Sequence, residues 1–315
     1  MDARERLIKS LNALITHLDS GGIQDTALPG TPAAEAIRLL KNGLSVSAFA
    51  CFEHFIRGRI SELLRLVSTA DDRPPFDQLP KGLQIAATKG VVEAVRFRLS
   101  QRGEGLDTPD IVALAQSHAD AIASSRSNSY SFSDWTFGWS TSNVGAGTLR
   151  DFLAAVDAVQ LYDQIGDTLR EVGFDFAAAG LANGSVLKLG RIAAWRHEAA
   201  HDSTISVDAA LLRTRVIAYI SVAFAFDLLA SLAVAVLING FASGASASAS
   251  RSGISVNFLG PSGDKYQLQD RSGGDLGNFY GIAHCQDHLG KRSLPSVGAV
   301  VMRSSQGHIV DWFFH

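Results

Sequence analysis

Residues 216–238 constrain this chain more than any other stretch. Val216 to Ile238 is almost wholly apolar and long enough to cross a bilayer. Asp227 stands in its middle, where a charge is costly in lipid. A central helix buried in a bundle accounts for the same run without a membrane, and that is the expectation adopted. The composition suits it. The chain is 315 residues long, 46% hydrophobic and 19% charged, against about 25% charged in an average soluble domain. That is enough apolar chain for a sizeable core.

Charge and cysteine content narrow the classes further. Lys and Arg number 28 and Asp and Glu 31, a net charge of −3. A protein that coats nucleic acid by bulk charge is thereby excluded, while a small local basic site is not. Cys51 and Cys285 cannot make a disulfide framework, which fits a reducing cytoplasm. Met1 to Ser20 is amphipathic, carries Asp2, Glu5 and Asp19, and lacks the apolar core of a secretory signal.

Most of the chain reads as helix. An amphipathic helix is expected over 3–18. Thr31-Pro32 then supplies an N-cap and a first-turn proline for a long helix over Ala33 to Val67. Its apolar positions recur near every 3.6 residues and include Leu39, Leu40, Leu44, Val46, Phe49, Phe52, Phe55, Ile56, Ile60, Leu63 and Leu64. Further helices are expected at 85–101, 109–123, 147–160 and around 185–200, and the last at 206–238. The aromatic segment Asp134 to Trp139 suggests a loop packed onto the core. Asn239 to Gly253 is Gly, Ala and Ser in near alternation, the composition of a flexible linker. Four short runs rich in β-formers follow: Ile254 to Leu259, Lys265 to Gln269, Val297 to Val301 and Ile309 to Phe313. The expected organisation is a mainly α chain. It has a helical domain over 1–240, a linker over 241–253 and a small β-domain over 254–315.

One stretch carries chemistry: Trp195-Arg196-His197-Glu198-Ala199-Ala200-His201-Asp202. It supports two incompatible readings. In the first, His197-Glu198-x-x-His201 places two histidines on one helical face. They could hold Zn²⁺ while Glu198 serves as general base for a metal-bound water. This would be a zinc metallohydrolase or protease. Its context is poor, because no Glu follows Glu198 and Thr204 stands where an extended motif needs Gly. Asp208 or a later His could still be a third ligand.

In the second reading the pair is Arg196-x4-His201. Histidine titrates near neutral pH and suits proton transfer. Arginine offers a charged fork to phosphate oxygens and does not lose its proton. No metal or other cofactor is required. His197 could touch phosphate, Glu198 could orient an Arg or His, and Glu53 on the first long helix could orient Arg196. Positions i and i+5 lie about 140° apart on an ideal helix, so Arg196 and His201 would not converge there. The weak helix formers Asp202, Ser203 and Thr204 allow the helix to end near His201. Alternatively, two subunits bring their motifs together at a symmetric interface.

This arrangement resembles the motif of HEPN-domain ribonucleases. The likeness extends to Gly43-Leu44-Ser45-Val46-Ser47-Ala48-Phe49-Ala50-Cys51-Phe52-Glu53-His54-Phe55-Ile56, which is similar to the opening helix of the RiboL-PSP group. Ile217-Ala218-Tyr219-Ile220 and Phe226-Asp227-Leu228-Leu229 are similar to its closing helix. Trp139-Ser140-Thr141-Ser142-Asn143, leading into Leu149-Arg150-Asp151-Phe152-Leu153, is also similar. The resemblance covers residues 30–240. It implies a HEPN-like helical bundle, a homodimer with a composite site, and metal-independent cleavage of RNA. Arg196 and His201 would be catalytic, and the products would carry a 2′,3′-cyclic phosphate and a 5′-hydroxyl. It also implies an effector of a toxin–antitoxin or anti-phage system, with an antitoxin or trigger protein as partner. A non-catalytic HEPN binding or dimerisation module is the remaining alternative.

Other features point to structure. His284-Cys285-Gln286-Asp287-His288 lacks the four ligands of a structural zinc site and reads as a polar turn or helix start with a buried Cys. Trp312-Phe313-Phe314 reads as a strand docking on the core. Lys291-Arg292 is too small a basic cluster to argue RNA binding. Gly273-Gly274 lacks the context of a phosphate loop.

Overall fold

The structure is a computed structural model that describes residues 2–21, 23, 28, 30–102, 112–113, 116–117, 130–133, 136–137, 146–177, 189–201, 207–243, 254–296 and 298–315. Among them the chain is mainly helical and ends in a small mixed sheet. The helices are α1 (Ala3–Asp19), α2 (Pro32–Thr69), α3 (Lys81–Arg102), α4 (Ala146–Ala155), α5 (Gln160–Glu171), α6 (Leu189–His201), α7 (Ala209–Ser243) and α8 (Ile282–Leu289). The strands are β1 (Ser255–Ser262), β2 (Lys265–Gln269), β3 (Asp275–Phe279), β4 (Gly298–Arg303) and β5 (Ile309–Phe314).

Local chemistry fixes the helix ends. Asp2 and Glu5 form a reciprocal capping box at the start of α1. The Thr31 hydroxyl accepts from the Ala34 amide at 3.2 Å, capping α2 as expected. Helix α4 closes on Asp157, which adopts φ 58°. The Ala158 amide then reaches Leu153 O at 2.8 Å and the Asp157 amide reaches Ala154 O at 3.1 Å. These are the two bonds of a Schellman motif, with Asp157 in the left-handed position. This break separates α4 from α5, a helix that the reading of 147–160 as one segment does not anticipate.

The chain divides into two compact units. One comprises Met1–Ile56, Asp163–Leu229 and Arg251–His315; the other comprises Arg57–Tyr162 and Ala230–Ser250. The division follows neither end of the expected linker. It cuts α2 and α7 along their length. Of the expected linker 241–253, residues 241–243 close α7 and the rest lie outside the described residues. Most of the expected helix at 109–123 lies outside them too.

In the first unit the strand order is β3-β2-β1-β4-β5, with β1 and β4 parallel and the other pairs antiparallel. The two faces of the sheet bury different partners. On one, Leu259, Leu268, Phe279, Val300, Met302 and Phe313 pack with Cys285 of α8. On the other, Trp312 meets Phe55 of α2 and Phe224 of α7 edge-on at 6.1 and 5.7 Å. The Trp312 indole donates to Asp227 Oδ2 at 2.8 Å. The outer edge of β5 is also covered. Asn12 of α1 donates to Val310 O, Arg4 of α1 donates to Trp312 O, and the Arg292 amide donates to Phe314 O. An edge whose carbonyls are occupied cannot recruit another strand.

The sheet thus shares its core with α1, α2 and α7, and Trp312-Phe313-Phe314 is a core strand as expected. Strand β3 was not foreseen, because Asp275-Leu276-Gly277-Asn278-Phe279 has weak β-propensity. Helix α7 has the length and hydropathy of a membrane span, yet 89% of its most apolar window is buried within the molecule. Burial within the molecule, in part against Trp312 of β5, accounts for its composition.

In the second unit, α3 and α4 approach closely at Gly82. A Cβ there would come within 2.9 Å of the Ala155 Cα. Phe137 packs edge-on against Phe152 of α4 at 5.4 Å, which places part of the aromatic segment 134–139 on the core.

One helical face departs from the expected periodicity. Leu39 and Leu40 are 57% and 53% exposed. The inward positions of that part of α2 are instead Lys41, Asn42 and Ser45. Asn42 Oδ1 accepts from the Val207 amide ahead of α7.

Candidate active site

Helix α6 carries the motif. Ile192, Trp195 and Ala199 are buried, at i, i+3 and i+7, and form its inward stripe. That phase leaves Arg196 and Glu198 half-buried and puts His197 and His201 on the exposed face. The two imidazoles lie one turn apart with ring centroids 4.6 Å from each other. His201 is the last residue of α6. Asp202, Ser203 and Thr204 lie outside the described residues.

The inward stripe is anchored by aromatics. Trp195 packs edge-on against Tyr219 of α7 at 6.0 Å. Phe49 and Phe52 of α2 pack on the same ring at 5.9 and 5.7 Å. Glu53, half-buried, follows Phe52 directly. The segments bearing Glu53 and Arg196 therefore meet at Tyr219.

Glu198 pairs with two arginines. Its carboxylate pairs with Arg191 at 3.5 Å and with Arg215 of α7 at 3.7 Å. Among the described residues, Arg196 forms no hydrogen bond or ion pair. A helix end in which Arg196 pairs with Glu198 does not describe this helix, and Asp202, the other carboxylate that could pair with Arg196, lies outside the described residues.

Arg215 is the residue that sequence reasoning missed. Its side chain is 7% exposed. The guanidinium lies 5.3 Å from the Trp195 ring, and among the described residues Nε and Nη1 have no hydrogen-bond partner. Burial pulls its pKa below the ordinary arginine value, with Tyr219 and Glu198 opposing. Burial likewise pushes the Tyr219 phenol up. The available signal was an arginine one turn before a tyrosine at the start of an apolar helix.

Other sequence candidates find their places. Cys285 is fully buried in α8, and burial pushes its thiol up to about 11. This is an inert core cysteine rather than a ligand. Among the described residues no group of three His, Cys, Asp or Glu could hold a metal ion. Trp139 to Asn143, which carries part of the family resemblance, lies outside the described residues. The chain matches no protein-family profile, no curated protein and no solved structure. The HEPN resemblance therefore rests on the residues quoted above.

Proposed function

We propose that this chain is a metal-independent endoribonuclease of the HEPN type, acting in the cytoplasm as a homodimer. One observation carries the reading. Among the described residues Arg196 has no partner, while the neighbouring carboxylate, Glu198, is engaged by two other arginines. A half-buried guanidinium with no partner among the described residues, beside two exposed histidines, suits a phosphodiester.

The chemistry follows from the side chains. The 2′-hydroxyl attacks the adjacent phosphorus, and its proton passes to a neutral histidine. The bond to the 5′-oxygen breaks as a protonated histidine supplies that oxygen with a proton. The products are a 2′,3′-cyclic phosphate and a 5′-hydroxyl. Arg196 stabilises the charge that builds on the non-bridging oxygens. The angle of about 140° between positions 196 and 201 favours a composite site, with Arg196 from one copy and His201 from the other. The resemblance extends the reading to the effector of a toxin–antitoxin or anti-phage system, held in check or triggered by a second protein.

The test is cleavage of a mixed RNA pool by EDTA-treated protein. Wild type cleaves it, and Arg196→Ala and His201→Ala each lose at least about a hundredfold in rate while retaining their circular dichroism. Cleavage retained in both variants overturns the site. Activity lost to the chelator and restored by zinc supports the metallohydrolase that His197 and His201 would serve. Intact RNA with wild type leaves the non-catalytic module.

A further inference from the structure

The exposed aromatic of the sheet is not in the Trp312-Phe313-Phe314 strand, all of which is buried. It is Tyr280, just after β3, whose side chain stands out at 76% exposure. The ring is exposed but held in place. The imidazole of His284 lies nearly parallel to it, 12° apart in plane with centroids separated by 6.2 Å. The Lys265 ammonium sits 4.8 Å from its centroid. Cross-strand register explains the second contact, since Tyr266 pairs with Phe279 and thus brings Lys265 opposite Tyr280.

The cluster continues along α8. His284 and His288, one turn apart and both exposed, each pack against the Phe279 ring, at 5.6 and 5.5 Å. Phe279 is itself buried, so it fixes both imidazoles from below. Among the described residues Lys265 has no carboxylate partner. Its charge is therefore available to an anion. Lys291 and Arg292, both exposed, follow Gly290, the C-cap of α8.

We infer that Tyr280, with Lys265 and His284, is a stacking platform for single-stranded RNA. The π-face takes a base and the ammonium takes a neighbouring phosphate. A planar, uncharged group on a polyanionic backbone is the ligand that uses both features at once. A ring already fixed by two neighbours loses little freedom when a base settles on it. This would give the C-terminal sheet its role in holding the substrate. The inference rests on the ribonuclease reading for its ligand class, but its test does not require cleavage.

The probe is fluorescein-labelled single-stranded RNA of about 12 nucleotides, as oligouridine and as oligoadenine, followed by fluorescence anisotropy. The protein is the full chain carrying His201→Ala, so that nothing is cut. We expect Tyr280→Ala to weaken binding at least about tenfold for both oligomers, and Tyr280→Phe to bind as the parent does. Lys265→Gln should flatten the dependence of affinity on salt. Tyr280 is exposed, so its loss leaves the fold intact, and circular dichroism checks this. Binding unchanged in Tyr280→Ala overturns the platform. So does a parent protein that fails to bind either oligomer, or a Tyr280→Phe variant as weak as Tyr280→Ala. RNA binding that depends on Tyr280, together with a wild type that cuts no RNA, keeps the platform and removes the ribonuclease. Cleavage by wild type with no effect of Tyr280 does the reverse.

Discussion

Asp227 shows how one residue reconciles a membrane-like helix with a folded core. It is 1% exposed, and the Trp312 indole donates to it at 2.8 Å. A buried carboxylate without donors would cost several kcal/mol, so the indole is one of the groups that make this position tolerable. The reverse also holds, because a buried indole N–H needs an acceptor. Asp227→Leu would remove that acceptor and leave the N–H orphaned, at a cost of about 1–3 kcal/mol. Asp227→Asn keeps an acceptor oxygen and should cost less. Urea unfolding followed by circular dichroism ranks the three proteins, and an Asp227→Leu as stable as wild type would overturn the predicted cost. In the sequence Asp227 is visible as an anomaly, but its partner lies 85 residues further on. No periodicity reveals such a pair. Arg215 was hidden for a related reason. An arginine near the start of a helix reads as solvated, and only the packing of Trp195 and Glu198 over it makes it a buried cation.

At the level of elements, the close approach of α3 and α4 makes a sharper prediction than any helix boundary. Gly43 lies inside α2 and Gly82 in the first turn of α3, and in a helix interior alanine is the better helix former by about 1 kcal/mol. Their surroundings differ. A Cβ at Gly43 meets nothing within 4 Å, whereas at Gly82 it meets backbone of Ala155 at 2.9 Å. Gly43→Ala should therefore stabilise by about 0.5–1 kcal/mol. Gly82→Ala should destabilise by about 1–2 kcal/mol, because overpacking against backbone outweighs the gain in propensity. Thermal unfolding of the two variants decides it, and a stabilised Gly82→Ala would refute the α3–α4 contact. Long periodic helices were legible in the sequence: α1, α2, α6 and α7 lie close to where their patterns place them. Segments governed by local exceptions were not. The break between α4 and α5 depends on a left-handed Asp157, which any sequence window averages away. Strand β3 carries Gly277 at φ 139° and few β-formers, so only its pairing with β2 makes it a strand. The exposure of Leu39 and Leu40 follows from polar residues turned inward, against the apolar period.

Across the molecule, the chain divides into two compact units. The sheet belongs to the same compact unit as α1 and α6, so the residues proposed for RNA cleavage and for RNA holding share one unit. The net charge of −3 fits this arrangement, because neither site needs a broad basic face. On an ideal helix positions 196 and 201 lie about 140° apart, whereas 197 and 201 differ by only about 40°. The proposed composite site therefore takes the guanidinium from one copy and His201 from the other. Equimolar Arg196→Ala and His201→Ala proteins, mixed, unfolded and refolded together, test this directly. In a mixed dimer, one composite site has lost both groups and the other keeps the intact arginine and the intact histidine. With random pairing about half of the dimers are mixed, each with one of two sites active, so the mixture should recover about a quarter of wild-type cleavage. Either variant refolded alone should stay inactive. A mixture as inactive as its components would place Arg196 and His201 of a single chain in the same site and remove the need for a second copy.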